Sequence, residues 1–327
     1  MIPEHHDRFE LIDPSSSGRM LVALHRSRFP DLPMKSLWLV VFVVAAIASL
    51  RMPQANSDEP DRVPASASDT MNGKEPGQVR DDNDLKMKLV WCPPGEFKMG
   101  SPKSEAGRLG NDDQVEVTLT KGFWLGKYEV TQSEWKQVME TEPWKGERYI
   151  KEGADYPATF VSWNDVTDFC HKLTDQERKA GRLSDGWEYT LPTEAQWECA
   201  CRARTETRFS HGDDESKLGD CAWFSDNTSK PGQYAHSVGE KKPNPWGLCD
   251  MHGNVAEWCR DVYTNRLPGG RDPEVKSEQK TRASVRVFRG GCWRTDSAHC
   301  RSGSRSAYIP DLRFDTNGFR VALCAVR

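Results

Sequence analysis

The chain has 327 residues, a mass of 37.1 kDa and a formal net charge of -4, with a sequence pI of about 6.1. Its 45 basic and 49 acidic side chains are interspersed and form no basic stripe, which excludes nucleic acid as an expected partner. Eleven of the twelve tryptophans lie beyond residue 84, so the core-forming capacity belongs to the C-terminal three quarters.

Residues 1–50 read as a leader. Their one apolar run, LWLVVFVVAAIASL over residues 37–50, has fourteen residues and no charge. That is short of the roughly 20 residues needed to span a bilayer squarely and matches the apolar region of a signal peptide. A start at the internal Met34 places Lys35 directly before the run, with Ala46-Ile47-Ala48 or Ala55-Asn56-Ser57 as small-residue cleavage sites. A start at Met1 puts the run behind a polar leader, where it serves as an uncleaved membrane anchor. Both alternatives predict an exported body that is periplasmic, extracellular or membrane-anchored. Residues 51–84 are rich in Pro, Ser, Asp and Gly, cannot offset the entropy of ordering, and read as a disordered linker.

From Leu85 to the end the sequence predicts a single globular domain. Three helix starts share one chemistry: Thr131 with Glu134, Ser162 with Asp165 and Thr193 with Gln196 each pair an N-cap hydroxyl with an acid or amide three residues on. Val166, Phe169, Cys170 and Leu173 then make one helical stripe, and Trp135, Val138 and Met139 another. Strand-like pieces such as VEVTLT, RVFRGG and GFRVAL are short and separated by long Gly-, Pro-, Asn- and Asp-rich stretches. The class is α+β with little regular secondary structure. Ten cysteines in an exported chain raise the question of disulfides, but their spacing makes no compact scaffold and Cys199-x-Cys201 is not a C-x-x-C site. We expect most of them to be small buried hydrophobes.

Six blocks in order then resemble the sulfatase-modifying-factor family, whose best-known members are the formylglycine-generating enzymes. They are LVWCPPGEFKMGS, GFWLGKYEVTQSEW, YPATFVSWNDV, LPTEAQWECACRAR, KPNPWGLCDMHGNVAEWCRD and RVFRGGCWRTDSAHCRSGSR with TNGFRVAL. The resemblance implies a C-type-lectin-like fold. It also implies a structural calcium site at Asp250, Gly253, Val255 and Glu257, two carboxylates and two backbone carbonyls that suit a hard cation. From the spacing alone, the favoured reading is that Asp250 caps a turn and Glu257 is solvated or ion-paired. In the family's enzymes two cysteines five residues apart hold copper(I), which activates oxygen to convert a cysteine of a C-x-P-x-R peptide to formylglycine. Cys300 falls on the second of those catalytic positions, and Thr295 stands at the first. Copper(I) selects soft thiolates, so a hydroxyl is a poor replacement; Cys292, three residues before Thr295, is a possible substitute if the loop rearranges.

The remaining residues of these blocks have plainer expectations. His252 reads as structural. Arg301, Arg305 and Arg320 read as ties between loops, and His299 with Cys300, adjacent on a predicted strand, would point to opposite faces. Two functional classes follow: an exported formylglycine-generating-type oxidase acting on a cysteine-containing peptide such as that of an exported sulfatase, or a non-catalytic lectin-like module that binds a peptide or glycan.

Overall fold

The computed structural model describes residues 71–228, 232–276 and 284–326. Strand β1 (Val79–Arg80) pairs with β2 (Leu89–Cys92), which pairs antiparallel with β5 (Phe123–Gly126). The sheet continues through β12 (Ala322–Ala325) to β6 (Trp187–Thr190), giving the order β1-β2-β5-β12-β6. Both faces of this sheet are covered. Leu89, Trp91, Trp124 and Leu323 enter one apolar cluster, while Val90, Cys92, Leu125 and Ala322 enter another. Strand alternation thus feeds two cores from near-continuous apolar runs.

Helix α1 (Gln132–Met139) and helix α2 (Trp163–Lys179) close the first core, and α3 (Glu194–Arg202) closes the second. All three start as the sequence predicts, with reciprocal capping boxes: the Thr131 N–H donates to Glu134 Oε2 at 2.8 Å and the Glu134 N–H donates to Thr131 Oγ1 at 3.2 Å. Val166, Phe169, Cys170 and Leu173 are buried as one face of α2, with Phe169 stacked on Trp135 of α1 at 5.6 Å. A second sheet has the order β10-β9-β7-β11, from β7 (Ala256–Val262), β9 (Arg286–Arg289), β10 (Ser306–Tyr308) and β11 (Asn317–Gly318). A third, β3-β4-β8, is built from β3 (Gly95–Met99), β4 (Val115–Leu119) and β8 (Gly270–Arg271).

Two expectations are corrected. The domain begins before Leu85: β1 lies inside the expected linker, Met71 and Asn83 are buried, and the Trp124 indole N–H donates to the Met71 carbonyl at 2.7 Å. Composition missed this because a few anchoring contacts order a polar segment that has no core of its own. GFRVAL is not one strand either; Gly318 ends β11 and Ala322 begins β12, because Phe319 and Arg320 turn inward between them. No helix among the described residues is long and apolar enough to cross a membrane, and the 37–50 run lies outside those residues.

Candidate functional site

The Thr295–Cys300 loop leaves β9 through Gly290 and Gly291, both with positive φ. A Cβ on Gly291 would sit 2.8 Å from Cys300 Sγ and 3.0 Å from Thr295 Oγ1, so only glycine lets the backbone pass this closely behind the pair. Residues 292–305 fold as turns, not as the strand the sequence suggests. Those turns bring positions 295 and 300 together, with Thr295 Oγ1 and Cys300 Sγ 3.8 Å apart. The Thr295 hydroxyl is already occupied: it accepts the Cys292 N–H at 2.9 Å and donates to the Cys292 carbonyl at 3.1 Å. His299 bonds Asp296 through Nδ1 at 2.7 Å and makes no pair with the thiol.

Cys300 is fully buried with Phe209, Leu218, Cys221, Ala222 and Phe224. That apolar setting pushes its thiol above the ordinary range, because burial disfavours the thiolate. Cys292 is buried in the first core, and its thiol lies beside the Thr295 hydroxyl and close enough to Cys300 to act on it, so the structure brings the possible substitute next to the 295–300 pair. None of the ten cysteines forms a disulfide; nine are buried and Cys199 is partly buried.

His252 supports this loop from below. Its Nε2 accepts the Ser210 N–H at 3.0 Å, leaving Nδ1 to donate to the Cys300 carbonyl at 2.8 Å. Burial pulls its pKa down to about 4, against the carbonyl's upward pull. Arg301, Arg305 and Arg320 are fully buried ties, as expected: Arg301 meets Asp112 at 3.1 Å and Glu105 at 2.5 Å, and Arg305 meets both Glu194 oxygens at 2.6 and 2.8 Å.

The predicted calcium residues separate into two environments. Both Glu257 oxygens are engaged: Arg320 Nη2 and Nε donate at 2.6 Å each, and the Trp197 indole N–H adds a bond at 2.7 Å. Val255 is buried, and Gly253 passes so near the Trp223 backbone that a Cβ there would lie 2.2 Å from its carbonyl oxygen. Asp250, held at φ 61°, accepts the Gly239 N–H at 2.7 Å on Oδ2, while Oδ1 is buried without a partner. Glu129, which the sequence reading passed over, is buried beside it with Oε2 equally unpartnered. Burial, then the Asp250 charge, holds the Glu129 carboxyl well above its ordinary value, and burial pushes Asp250 up to about 6 against the Gly239 N–H, Arg320 and the hydrogen bond that a protonated Glu129 carboxyl donates. Three acids therefore surround Arg320, which neutralises one. The Asp250 and Glu129 carboxyls face one another, so their inner oxygens can share either one proton or one hard cation, whereas Glu257, paired with Arg320, offers no free ligand. The signal for Glu129 was slight, an acid set between Tyr128 and Val130 ahead of the first capped helix start.

The three-sheet scaffold, its short capped helices and its loops tied by buried Arg–carboxylate pairs define a C-type-lectin-like domain of the α+β class. The chain belongs to the family of the sulfatase-modifying factor enzyme 1-like domain, whose model matches residues 76–325. It is similar to the serine/threonine-protein kinase pkn1 of Chlamydia pneumoniae, 26% identical over 72% of this chain and 37% of the kinase. The chain thus spans under two fifths of that relative's length. It is 31% identical to the formylglycine-generating enzyme of Streptomyces coelicolor over 51% of this chain and 52% of the enzyme. Among solved structures it resembles PvdO from Pseudomonas aeruginosa with a TM-score of 0.67 and 27% identity, covering 77% of this chain and 99% of PvdO. The residues at the 295–300 pair do not fit copper(I): one buried thiol and one committed hydroxyl replace two soft thiolates.

Proposed function

We propose that this chain is an exported recognition module that binds a peptide or glycan, its reactive loop retaining the family's placement while having lost two-thiolate copper chemistry. The burial of Cys300 with Phe209 and Phe224, and a hydroxyl where the second thiolate would stand, 3.8 Å from its sulfur, carry this proposal. A thiol that is buried and protonated is a poor nucleophile and must give up its proton before it can bind a soft metal. Export rests on the apolar run 37–50, which also supplies the possible membrane anchor. The proposal includes a structural calcium ion held by Asp250 with Glu129, whose facing buried carboxyls support it, together with the loop of Gly253 and Val255. Bound there, calcium would neutralise buried charge and stiffen the loop that runs on to His252.

Copper(I) titration of the full chain against a competing chelator tests the proposal. We expect no tight, Cys300-dependent binding and no conversion of a C-x-P-x-R peptide. The oxidase reading draws its support from the 3.8 Å approach of positions 295 and 300 and from the Streptomyces relative. Tight copper binding lost in Cys300→Ser, with peptide conversion, would establish that reading instead.

A further inference from the structure

Cys300 lies under a segment with few ties to the rest of the domain. It shares a small apolar cluster with Phe209, Leu218, Cys221, Ala222 and Phe224, separate from the two large cores. The ends of that stretch are fixed from outside: the Ser210 N–H donates to His252 Nε2 at 3.0 Å, and the Trp223 carbonyl accepts the Asn254 N–H at 2.8 Å. Leu218 is held differently. It sits on a single 3-10 turn, Glu215–Asp220, which Asp214 caps by accepting the Ser216 N–H at 3.1 Å, and it is the one buried side chain of that turn. All its neighbours from 211 to 220 are exposed or partly exposed.

The turn is fastened at three places. Before it, Asp213 Oδ1 accepts the Arg208 N–H at 2.8 Å; at its end, the Gly219 and Asp220 carbonyls accept from Lys241 Nζ at 2.7 Å and from the Lys242 N–H at 3.0 Å. In between, Glu215 accepts from Arg208 Nη1 at 2.6 Å on one oxygen and from the Ser297 hydroxyl on the other, so it clips the turn to the loop that carries Cys300. The Glu215 side chain is 51% exposed, and an ion pair in that setting is weakened by water and by salt. Between its anchored ends, one apolar side chain and one solvated clip hold the turn closed. Segments with so little buried apolar contact open well below the free energy of global unfolding.

We propose that residues 214–218 form a lid over Cys300, with Leu218 as its plug and Glu215 as its latch, and that the lid opens while the rest of the domain stays folded. Opening admits water to the pocket, where the thiol can ionise, and so gives small thiol-seeking molecules a route to a sulfur that the closed state hides. This inference deepens the recognition reading and rests on its closed, buried Cys300. Copper titration reads how many soft ligands the loop offers, whereas alkylation reads how often the lid opens, so either can fail while the other stands.

Alkylation of the full chain by iodoacetamide under native conditions, followed residue by residue with mass spectrometry, tests the lid. We expect Cys300 to react roughly tenfold or more faster than Cys92 and Cys259, which are fully buried in the second core and become accessible through global unfolding. Glu215→Ala should speed Cys300 about threefold, as the loss of a solvated ion pair predicts, with the melting temperature and the Cys92 and Cys259 rates unchanged. Leu218→Ala should raise the ratio of the Cys300 rate to the Cys259 rate roughly tenfold or more, because the plug is gone from the pocket. Cys300 reacting no faster than Cys92 and Cys259, a Cys300 rate that either substitution leaves unchanged, or variants that speed all three cysteines in equal proportion would each overturn the inference.

Discussion

Replacing Glu257 by alanine isolates the buried Arg320 guanidinium, and the structure sets the size of the effect. Removing one partner of a buried ion pair costs about 3–5 kcal/mol, because the remaining charge is left without compensation. Two features act in opposite directions here. Arg320 keeps its bonds to the carbonyls of Gly126 at 2.8 Å, Lys127 at 3.2 Å and Cys249 at 3.0 Å, and Asp250 and Glu129 lie close enough to supply charge, which moves the cost down. The Trp197 N–H loses its acceptor in the core, which adds roughly 1–3 kcal/mol. A net loss of about 4 kcal/mol follows, on the order of 10 °C in melting temperature for a domain of this size. Urea unfolding followed by tryptophan fluorescence measures it. The double variant Glu257→Leu with Arg320→Met should recover part of the loss, since it removes both charges and keeps the volume. A single variant within about 1 kcal/mol of wild type, or a double variant no more stable than the single, would refute the assignment of Glu257 as a committed ion-pair partner.

Chelation with EGTA should lower the melting temperature of the wild type, because a ligand held only by the folded state stabilises it by mass action, about 2.7 kcal/mol at a hundredfold excess over Kd. Asp250→Asn or Glu129→Gln should abolish that response, and a wild-type melting curve indifferent to chelator removes calcium from the account. His252 is depressed from 6.5 to about 4 in the folded state, so the unfolded chain binds its proton first as pH falls. Its contribution, roughly 3 kcal/mol, is present above pH 6.5 and lost between 6.5 and 4, and His252→Gln should flatten stability across that window. Thr295→Cys should raise copper(I) affinity sharply by restoring two sulfurs at the five-residue spacing; wild-type binding of the same strength, abolished by Cys292→Ser, would mean that Cys292 fills the role.

What was legible in the sequence was chemistry confined to a few neighbouring residues. A hydroxyl followed three positions later by an acid or amide marks a helix start whatever the tertiary setting, and all three such starts form. The fate of Arg301, Arg305 and Arg320 was legible because so many arginines in a loop-rich domain must pair to be buried. Features that depend on distant segments were not legible. Glu129 looks like an ordinary acid until Asp250, more than a hundred residues on, is seen beside it. Strand alternation misled for residues 292–305, since the positive φ of Gly290 and Gly291 turns the chain out of the sheet before the pair is reached.

The Thr295–Cys300 loop shows how position and chemistry come apart in this domain. Everything that brings the two positions together acts through backbone: the bare Cα of Gly291, the Cys300 carbonyl held by His252, and the Thr295 carbonyl that accepts the Ser225 N–H at 2.9 Å. None of these contacts needs sulfur at residue 295. A threonine there does something a cysteine does poorly, because its hydroxyl both accepts from and donates to the Cys292 backbone and so closes the turn, whereas a thiol is a weak donor and a weak acceptor. Threonine stabilises the turn at the expense of a soft ligand, by roughly the 1 kcal/mol of a net hydrogen bond. Restoring cysteine should therefore loosen the loop slightly while adding metal affinity. A loop held by backbone contacts can carry either side chain at residue 295, so the placement of positions 295 and 300 does not by itself set their chemistry.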